Sequence, residues 1–103
     1  MGVLISFYIA PLGVGPSISK YVSEVIRFLK ENNVKFMLTP ESAIIEAKDV
    51  AEGLSIIAEA HERIMSLGVK RIVTVIKIDD RRDKPLTLDI MKQKVDKILR
   101  DHV

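Results

Sequence analysis

The sequence predicts an α+β fold in which helices pack on one face of a four-stranded antiparallel sheet. Four short runs are β-branched or alternate apolar with polar residues, as strands do. Three longer stretches carry apolar residues at helical spacing. A tight turn separates the two middle strands, which makes them antiparallel neighbours. The expected product is a two-layer sandwich with an additional C-terminal helix.

Composition narrows the classes of protein. With 103 residues the chain is long enough for one domain, expected to span 1–103, with its own core. The net charge of +2 gives no electrostatic reason to expect nucleic acid. No apolar run reaches the roughly 20 residues of a membrane span. The absence of cysteine excludes disulfides and is compatible with a cytoplasmic protein.

The N-terminal part predicts a strand, a loop and a helix. Alternation over Val3–Ala10 indicates the first strand. The segment Pro11–Pro16 is rich in proline and glycine and predicts a loop. Ser17 or Ser19 can cap a helix that runs to about Asn32.

The middle of the chain predicts a hairpin followed by a helix. Strands over Val34–Thr39 and Ser42–Ala47 are joined by a turn in which Pro40 suits position i+1. Asp49 and Glu52 then have the spacing of a capping box, which marks the start of the second helix.

The last third predicts a strand, a charged loop and a helix. Gly68 can end the second helix. The β-branched run Ile72–Ile78 leads into the charged segment Asp79–Lys84, and Thr87 can cap the last helix. The apolar stripe of that helix is Leu88, Met91, Val95, Ile98 and Leu99. The order β-α-β-β-α-β-α, with right-handed crossovers, predicts a ferredoxin-like sandwich.

Alternation divides the sheet residues into two faces. The purely apolar sets are expected under the helices and include Val3, Ile5, Phe7, Ile9, Val34, Phe36, Leu38, Ala43, Ile45, Ala47, Ile72, Ile76 and Ile78. The opposite face, here called the second face, carries Leu4, Ser6, Tyr8, Met37, Thr39, Ile44, Glu46, Val73, Val75 and Lys77. A half-apolar face of this size indicates an interface or a ligand site. We expect another subunit, the last helix, or both to cover it, in a homo-oligomer.

Five residues of the second face are the candidates for ligand binding. Glu46 and Lys77 are its charged groups, and they fit either a buried ion pair across an interface or a site for a cationic or amine-bearing heterocycle. Tyr8 and Ser6 would add a stacking surface and a donor, and Met37 would cover a ring.

Other motifs carry weaker signals. Arg81 and Arg82 could bind an anion such as a phosphate, but the interleaved aspartates favour a salt-bridge network instead. His61 lies on an apolar helical stripe and is expected to be a hydrogen-bonded core residue. No histidine–carboxylate cluster has metal-ligand spacing, and no nucleophile motif is present, so neither a metal nor an enzyme is expected.

Several of these segments together resemble the small thiamine-binding proteins of the YkoF-like superfamily. They are Ala10–Gly15, Pro40 before Ile45–Ala47, Ala60–Glu62 and, most distinctively, Arg71–Lys84. The resemblance implies dimers joined edge to edge and packed face to face as tetramers. It also implies non-catalytic binding of thiamine or its hydroxymethylpyrimidine part near a subunit interface.

One segment departs from the family pattern. The family's hairpin usually reads Pro-Met-Gly-Thr, whereas this chain has Pro40-Glu-Ser-Ala43, so the threonine hydroxyl is lost and an acidic residue enters the turn. The function expected is binding of thiamine or its pyrimidine. The alternatives are a regulatory amino-acid-binding domain and an assembly protein without a small ligand.

Overall fold

The computed structural model describes residues 2–101, so Met1, His102 and Val103 of the predicted 1–103 domain lie outside the described residues. Its elements are β1 (Val3–Leu12), α1 (Ser19–Glu31), β2 (Lys35–Leu38), β3 (Ala43–Ala47), α2 (Val50–Met65), β4 (Arg71–Asp79) and α3 (Leu88–Asp101). The strands form one antiparallel sheet in the order β2-β3-β1-β4. This confirms the predicted α+β ferredoxin-like architecture with a C-terminal helix.

The main core lies between the sheet and the helices α1 and α2. Ile5 and Ile45, which face each other on β1 and β3, are completely buried against Leu29 of α1 and Ile57 of α2. Burial of such side chains contributes about 1.5–3 kcal/mol each. Alternation therefore placed the central strands correctly.

Gly53 lies inside α2, where glycine costs about 1 kcal/mol relative to alanine. A Cβ atom built there would lie 2.2 Å from Ile5 Cδ1 and 3.4 Å from Ala47 Cβ. The helix approaches the sheet so closely that only a hydrogen fits. Close packing of α2 on the sheet is the reason for this glycine.

Two local predictions are wrong. The first strand continues beyond Ala10, because Pro11 pairs with Ile72 of β4. At that end β1 has lost its other neighbour, whose pairing ends at Phe7, so the missing proline N–H is not needed. Neither predicted serine caps α1: Ile18 is at the N-cap without a side-chain hydrogen bond.

The other predicted helix ends are confirmed. Asp49 Oδ1 accepts a hydrogen bond from the Glu52 amide at 2.8 Å, and Thr87 Oγ1 accepts one from the Ile90 amide at 3.1 Å. Gly68 has φ 91°, the left-handed conformation that a helix-ending glycine supplies.

The strand β4 is less covered than predicted. Ile76 and Ile78 were expected under the helices, but they are 40% and 42% exposed. They lie on an edge strand, and the core helices reach it mainly near Thr74, whose hydroxyl is 2.7 Å from His61 Nδ1. That contact confirms His61 as a hydrogen-bonded, partly buried residue.

Candidate functional site

The last helix covers one part of the second face. Its start brings Leu86, Leu88 and Met91 into a small apolar cluster of their own. The sheet residues of that cluster are Leu4, Met37 and Ile44. The expected cover by the last helix is therefore present, but only over β1, β2 and β3.

Glu46 anchors this helix. Its Oε1 accepts a hydrogen bond from the Leu88 amide at 2.8 Å, which satisfies one of the free N–H groups at the start of α3. Lys35, opposite Glu46 in the sheet register, forms an ion pair with Asp89 at 2.7 Å between Nζ and Oδ2. The hydrogen bond from Lys35 lowers the pKa of Asp89, and the hydrogen bond to Asp89 raises the pKa of Lys35.

The rest of the second face is open. We call it the open strip, defined by Ser6, Tyr8, Val73, Val75 and Lys77 on β1 and β4. Ser6 lies opposite Lys77 and Tyr8 lies opposite Val75 in the sheet register. Tyr8 is 46% exposed and Val75 is 42% exposed. Exposed aromatic and aliphatic side chains in contiguous positions are typical of a surface that binds something.

The five predicted ligand residues thus fall into two groups. Glu46 and Met37 lie under α3, whereas Ser6, Tyr8 and Lys77 lie on the open strip. Between residues 2 and 101 no ion pair joins Glu46 to Lys77. The two residues lie on opposite sides of β1 and in neighbouring rows, since Glu46 pairs with Leu4 and Lys77 with Ser6.

A cleft that the sequence reading missed lies on the helix side of the sheet. Its volume is about 260 Å³, and it is bounded by α1, the second half of β1 and the β2–β3 turn. Phe7, Ala43 and Ile64 form a buried floor. Ile18, at the N-cap of α1, and Val22 line it and remain exposed. Both are among the apolar residues at helical spacing in this stretch, which is the sequence signal that could have indicated the cleft.

Comparison with known proteins identifies the family. A family model described as "Thiamine-binding protein" matches residues 5–99. The chain belongs to the thiamine-binding protein family. It is 38% identical over 96 residues to the UPF0045 protein YqgV of Bacillus subtilis, covering 88% of this chain and 91% of that protein. A UPF0045 protein of Staphylococcus xylosus is 34% identical over 103 residues, with 95% of each chain covered.

Solved structures agree with this family. Protein MJ1052 of Methanocaldococcus jannaschii superposes with a TM-score of 0.82 at 32% identity, over 93% of this chain and 97% of that one. A Thermotoga maritima protein, assigned by inference to thiamine biosynthesis or salvage, gives a TM-score of 0.78 at 17% identity, over 92% and 99% of the two chains. At that lower identity the likeness shows the fold alone.

The hairpin that departs from the family pattern has its own hydrogen-bond network. Thr39 Oγ1 accepts from the Ser42 amide at 3.0 Å and lies 3.1 Å from Ser42 Oγ. Ala43, in the position of the family threonine, is buried on the helix side of the sheet. The Ser42 hydroxyl is thus engaged within the turn, and Glu41 lines the neighbouring cleft.

The charged loop after β4 forms two ion pairs of its own. Arg81 bonds both carboxylate oxygens of Asp83, at 2.7 and 3.1 Å, and Arg82 bonds both oxygens of Asp80, at 3.3 and 2.9 Å. These hydrogen bonds lower the pKa of both aspartates. The predicted salt-bridge network is present, and anion binding by the two arginines stays a prediction.

Residues 2–101 contain no group of three or more histidines and carboxylates that could hold a metal ion. In the same residues no helix combines the length and the apolar character that crossing a membrane requires.

Proposed function

We propose that this protein binds thiamine, or its hydroxymethylpyrimidine part, without catalysing a reaction on it, at an oligomer interface on the second sheet face. The observation that carries the proposal is the open strip, an exposed half-apolar surface beside an anchored carboxylate in a chain of the thiamine-binding protein family. The thiamine role inferred for the T. maritima neighbour supports the same ligand class.

The side chains of this face offer the contacts that an aminopyrimidine needs. Tyr8 supplies an aromatic surface, Ser6 a hydroxyl, and Glu46 an acceptor for an exocyclic amine. Within residues 2–101 only Oε1 of Glu46 is hydrogen-bonded, which leaves Oε2 for a ligand. A charge-assisted hydrogen bond of this kind contributes roughly 1.5–3 kcal/mol. Lys77 would border the ring on the open strip, and Met37 would border it at the edge of the part that α3 covers.

Self-association would complete the site. The edge strand β4 exposes apolar side chains on both faces, and Val95, Ile98 and Leu99 of α3 are also exposed. Unpaired strand edges and exposed apolar faces are surfaces that a second copy of the chain can cover. A dimer of dimers in the cytoplasm is the assembly we propose, with the ligand between subunits.

The first test is calorimetric titration with thiamine, hydroxymethylpyrimidine and thiamine diphosphate. The informative variants are Glu46→Gln, which keeps an acceptor for the Leu88 amide but loses the charge, and Glu46→Ala, which loses both. We expect Glu46→Gln to weaken thiamine binding about tenfold while α3 stays in place. Recovery of unchanged thiamine after incubation would agree with binding alone.

The outcomes separate the parts of the proposal. No heat with any of the three ligands would refute thiamine binding. Undiminished binding by Glu46→Gln would remove its carboxylate from the site. Tighter binding of the diphosphate, lost in Arg81→Ala or Arg82→Ala, would support the predicted anion site in the charged loop.

Oligomerisation has a separate test. Val75→Glu places a charge in the open strip without touching the main core, because Val75 is exposed in the single chain. We expect light scattering to show a smaller particle, while circular dichroism shows an unchanged fold. A wild-type protein that is monomeric at high concentration would refute the interface.

A further inference from the structure

The last helix packs on the rest of the chain through its first turn. Leu88 is buried, Met91 packs against the same small cluster, and the Leu88 amide donates to Glu46 Oε1. From Lys92 to Asp101 every residue of α3 is exposed. An isolated helix of about 10 residues is marginal in water, because most of the stability of a helix in a protein comes from packing of its apolar side. The second half of α3 therefore needs a packing partner.

This exposed half of α3 has one apolar side and one polar side. Val95, Ile98 and Leu99 share the apolar side and are between 54% and 59% exposed. Gln93 and Lys97 lie about 160° around the helix from Val95, at roughly 100° per residue. A surface helix normally turns its apolar side toward a packed neighbour, so the partner of α3 must contact the side formed by Val95, Ile98 and Leu99.

The open strip offers a surface that matches this side of the helix. Val73 and Val75 are each 42% exposed and lie on the same sheet face as the cluster that holds the start of α3. Side chains on one face of a strand repeat about every 6.8 Å, and residues four apart on a helix repeat about every 6 Å. Val95 and Leu99 can therefore pack on neighbouring positions of the strip. Because both surfaces are exposed in one chain, the helix that covers the strip must come from a second copy.

The charges beside the two surfaces are also complementary. Lys77 is the charged residue of the open strip, and Asp96 follows Val95 at the border of the apolar side of α3. Neither forms an ion pair within residues 2–101. An anionic lipid surface, the other common partner of an amphipathic helix, would repel Asp96. A second copy of the chain is therefore the better match.

We propose that the second half of α3 packs on the open strip of a second copy, with Asp96 beside the partner subunit's Lys77. Two-fold symmetry forms the contact twice, since each strip receives the helix of the other copy. The partner's α3 then forms one wall of the ligand site proposed around Tyr8. This contact rests on the self-association proposed above, and it requires no ligand.

Reversal of the two charges, followed by mixing, tests the contact. Lys77→Glu and Asp96→Lys should each weaken self-association about tenfold in sedimentation equilibrium, because like charges then meet twice in each dimer. An equimolar mixture of the two variants should associate like wild type, since both contacts of the mixed dimer join opposite charges. An ion pair within one chain cannot produce this recovery. The matched control is Lys97→Glu, which reverses a charge on the polar side of α3 and should change the affinity by about twofold or less.

A second pair of variants tests the apolar part of the contact. Ile98→Ser should abolish self-association while circular dichroism shows an unchanged fold, because Ile98 is exposed in the single chain. Gln93→Ser, on the polar side, should have no effect. Equal self-association of these two variants, or no recovery on mixing the charge variants, would overturn the contact.

Two further outcomes separate this contact from the rest of the proposals. Recovery on mixing in a protein that gives no heat with thiamine would support the contact and refute the ligand. Thiamine binding by a protein whose self-association is insensitive to both charge reversals would overturn the contact and leave the ligand proposal intact. A monomeric wild type whose Val95 and Leu99 amides become protected from hydrogen exchange only on phosphatidylglycerol vesicles would overturn it in favour of a lipid surface.

Discussion

The two strands that flank β1, β3 and β4, look alike in sequence and differ in their surroundings. Both carry isoleucine on the helix side of the sheet, and Ile45 and Ile78 lie on either side of Ile5 in the same row. Ile45 is fully buried, whereas Ile78 is 42% exposed. The same alternation thus builds a core where helices cover the strand and an exposed apolar edge where they do not.

The sharpest test of this difference is truncation of the two isoleucines. Ile45→Ala should lower the free energy of unfolding by about 3 kcal/mol, because it leaves a cavity in a closed core. Ile78→Ala should cost about 1 kcal/mol or less in the monomer, measured by urea unfolding. Equal costs at low protein concentration would show that β4 is covered within a single chain, and a cost of Ile78→Ala that grows with concentration would place this edge in an interface.

A second prediction concerns the close contact between α2 and the sheet at Gly53 and Ile5. Gly53→Ala should destabilise the protein by about 1–2 kcal/mol, because crowding of Ile5 outweighs the better helix propensity of alanine. Ile5→Val removes the Cδ1 atom that the new methyl group would meet. The two substitutions should therefore be less damaging together than their summed effects in a double-mutant cycle. Strict additivity would contradict the proposed contact.

A third prediction concerns the boundary between the two halves of the second face. Glu46→Ala should cost about 1 kcal/mol and loosen the start of α3, since the Leu88 amide loses its acceptor. Glu46→Gln should retain most of this stability. Hydrogen exchange of the Leu88 amide measures the effect directly, and protection in Glu46→Ala equal to that in wild type would mean that the Glu46 side chain does not hold the helix.

The smallest expected effect is the pH dependence of the Lys35–Asp89 pair. Because Lys35 depresses the pKa of Asp89, the stabilisation by this carboxylate is complete above its ordinary value of 3.8 and is lost as the pH falls through the lower folded value. The difference in urea midpoint between wild type and Asp89→Asn should therefore shrink below that pH. A difference that grows on acidification would contradict the assigned sign.

Much of the fold was predictable because its signals are local. The Asp49 and Thr87 caps and Gly68 depend on residues a few positions apart, and the structure places them as expected. The N-cap of α1 was not predictable in this way. Ser17 and Ser19 were both candidates for it. Their Oγ atoms lie 3.3 Å apart in a hydrogen bond with each other, and Ile18 occupies the N-cap.

The candidate site was predictable only in outline. Alternation assigned Glu46 and Lys77 to one face, but it carries no information about which groups meet along that face. Glu46 bonds a residue 42 positions away, and the cleft forms only where α1, β1 and the β2–β3 turn converge. Such contacts between distant segments leave no periodic trace in the sequence.

By itself, the sequence determined the order of the elements and the two faces of the sheet, because strand and helix periods repeat within a few residues. It also indicated the family, through the resemblance carried by segments such as Arg71–Lys84. The tertiary structure alone decided that β4 is an exposed edge, that α3 covers one part of the second face, and that Glu46 accepts a hydrogen bond from the Leu88 amide at the start of this helix. The physical reason is that the burial of a residue depends on which distant segment of the chain packs against it. The local sequence pattern around that residue does not encode this contact.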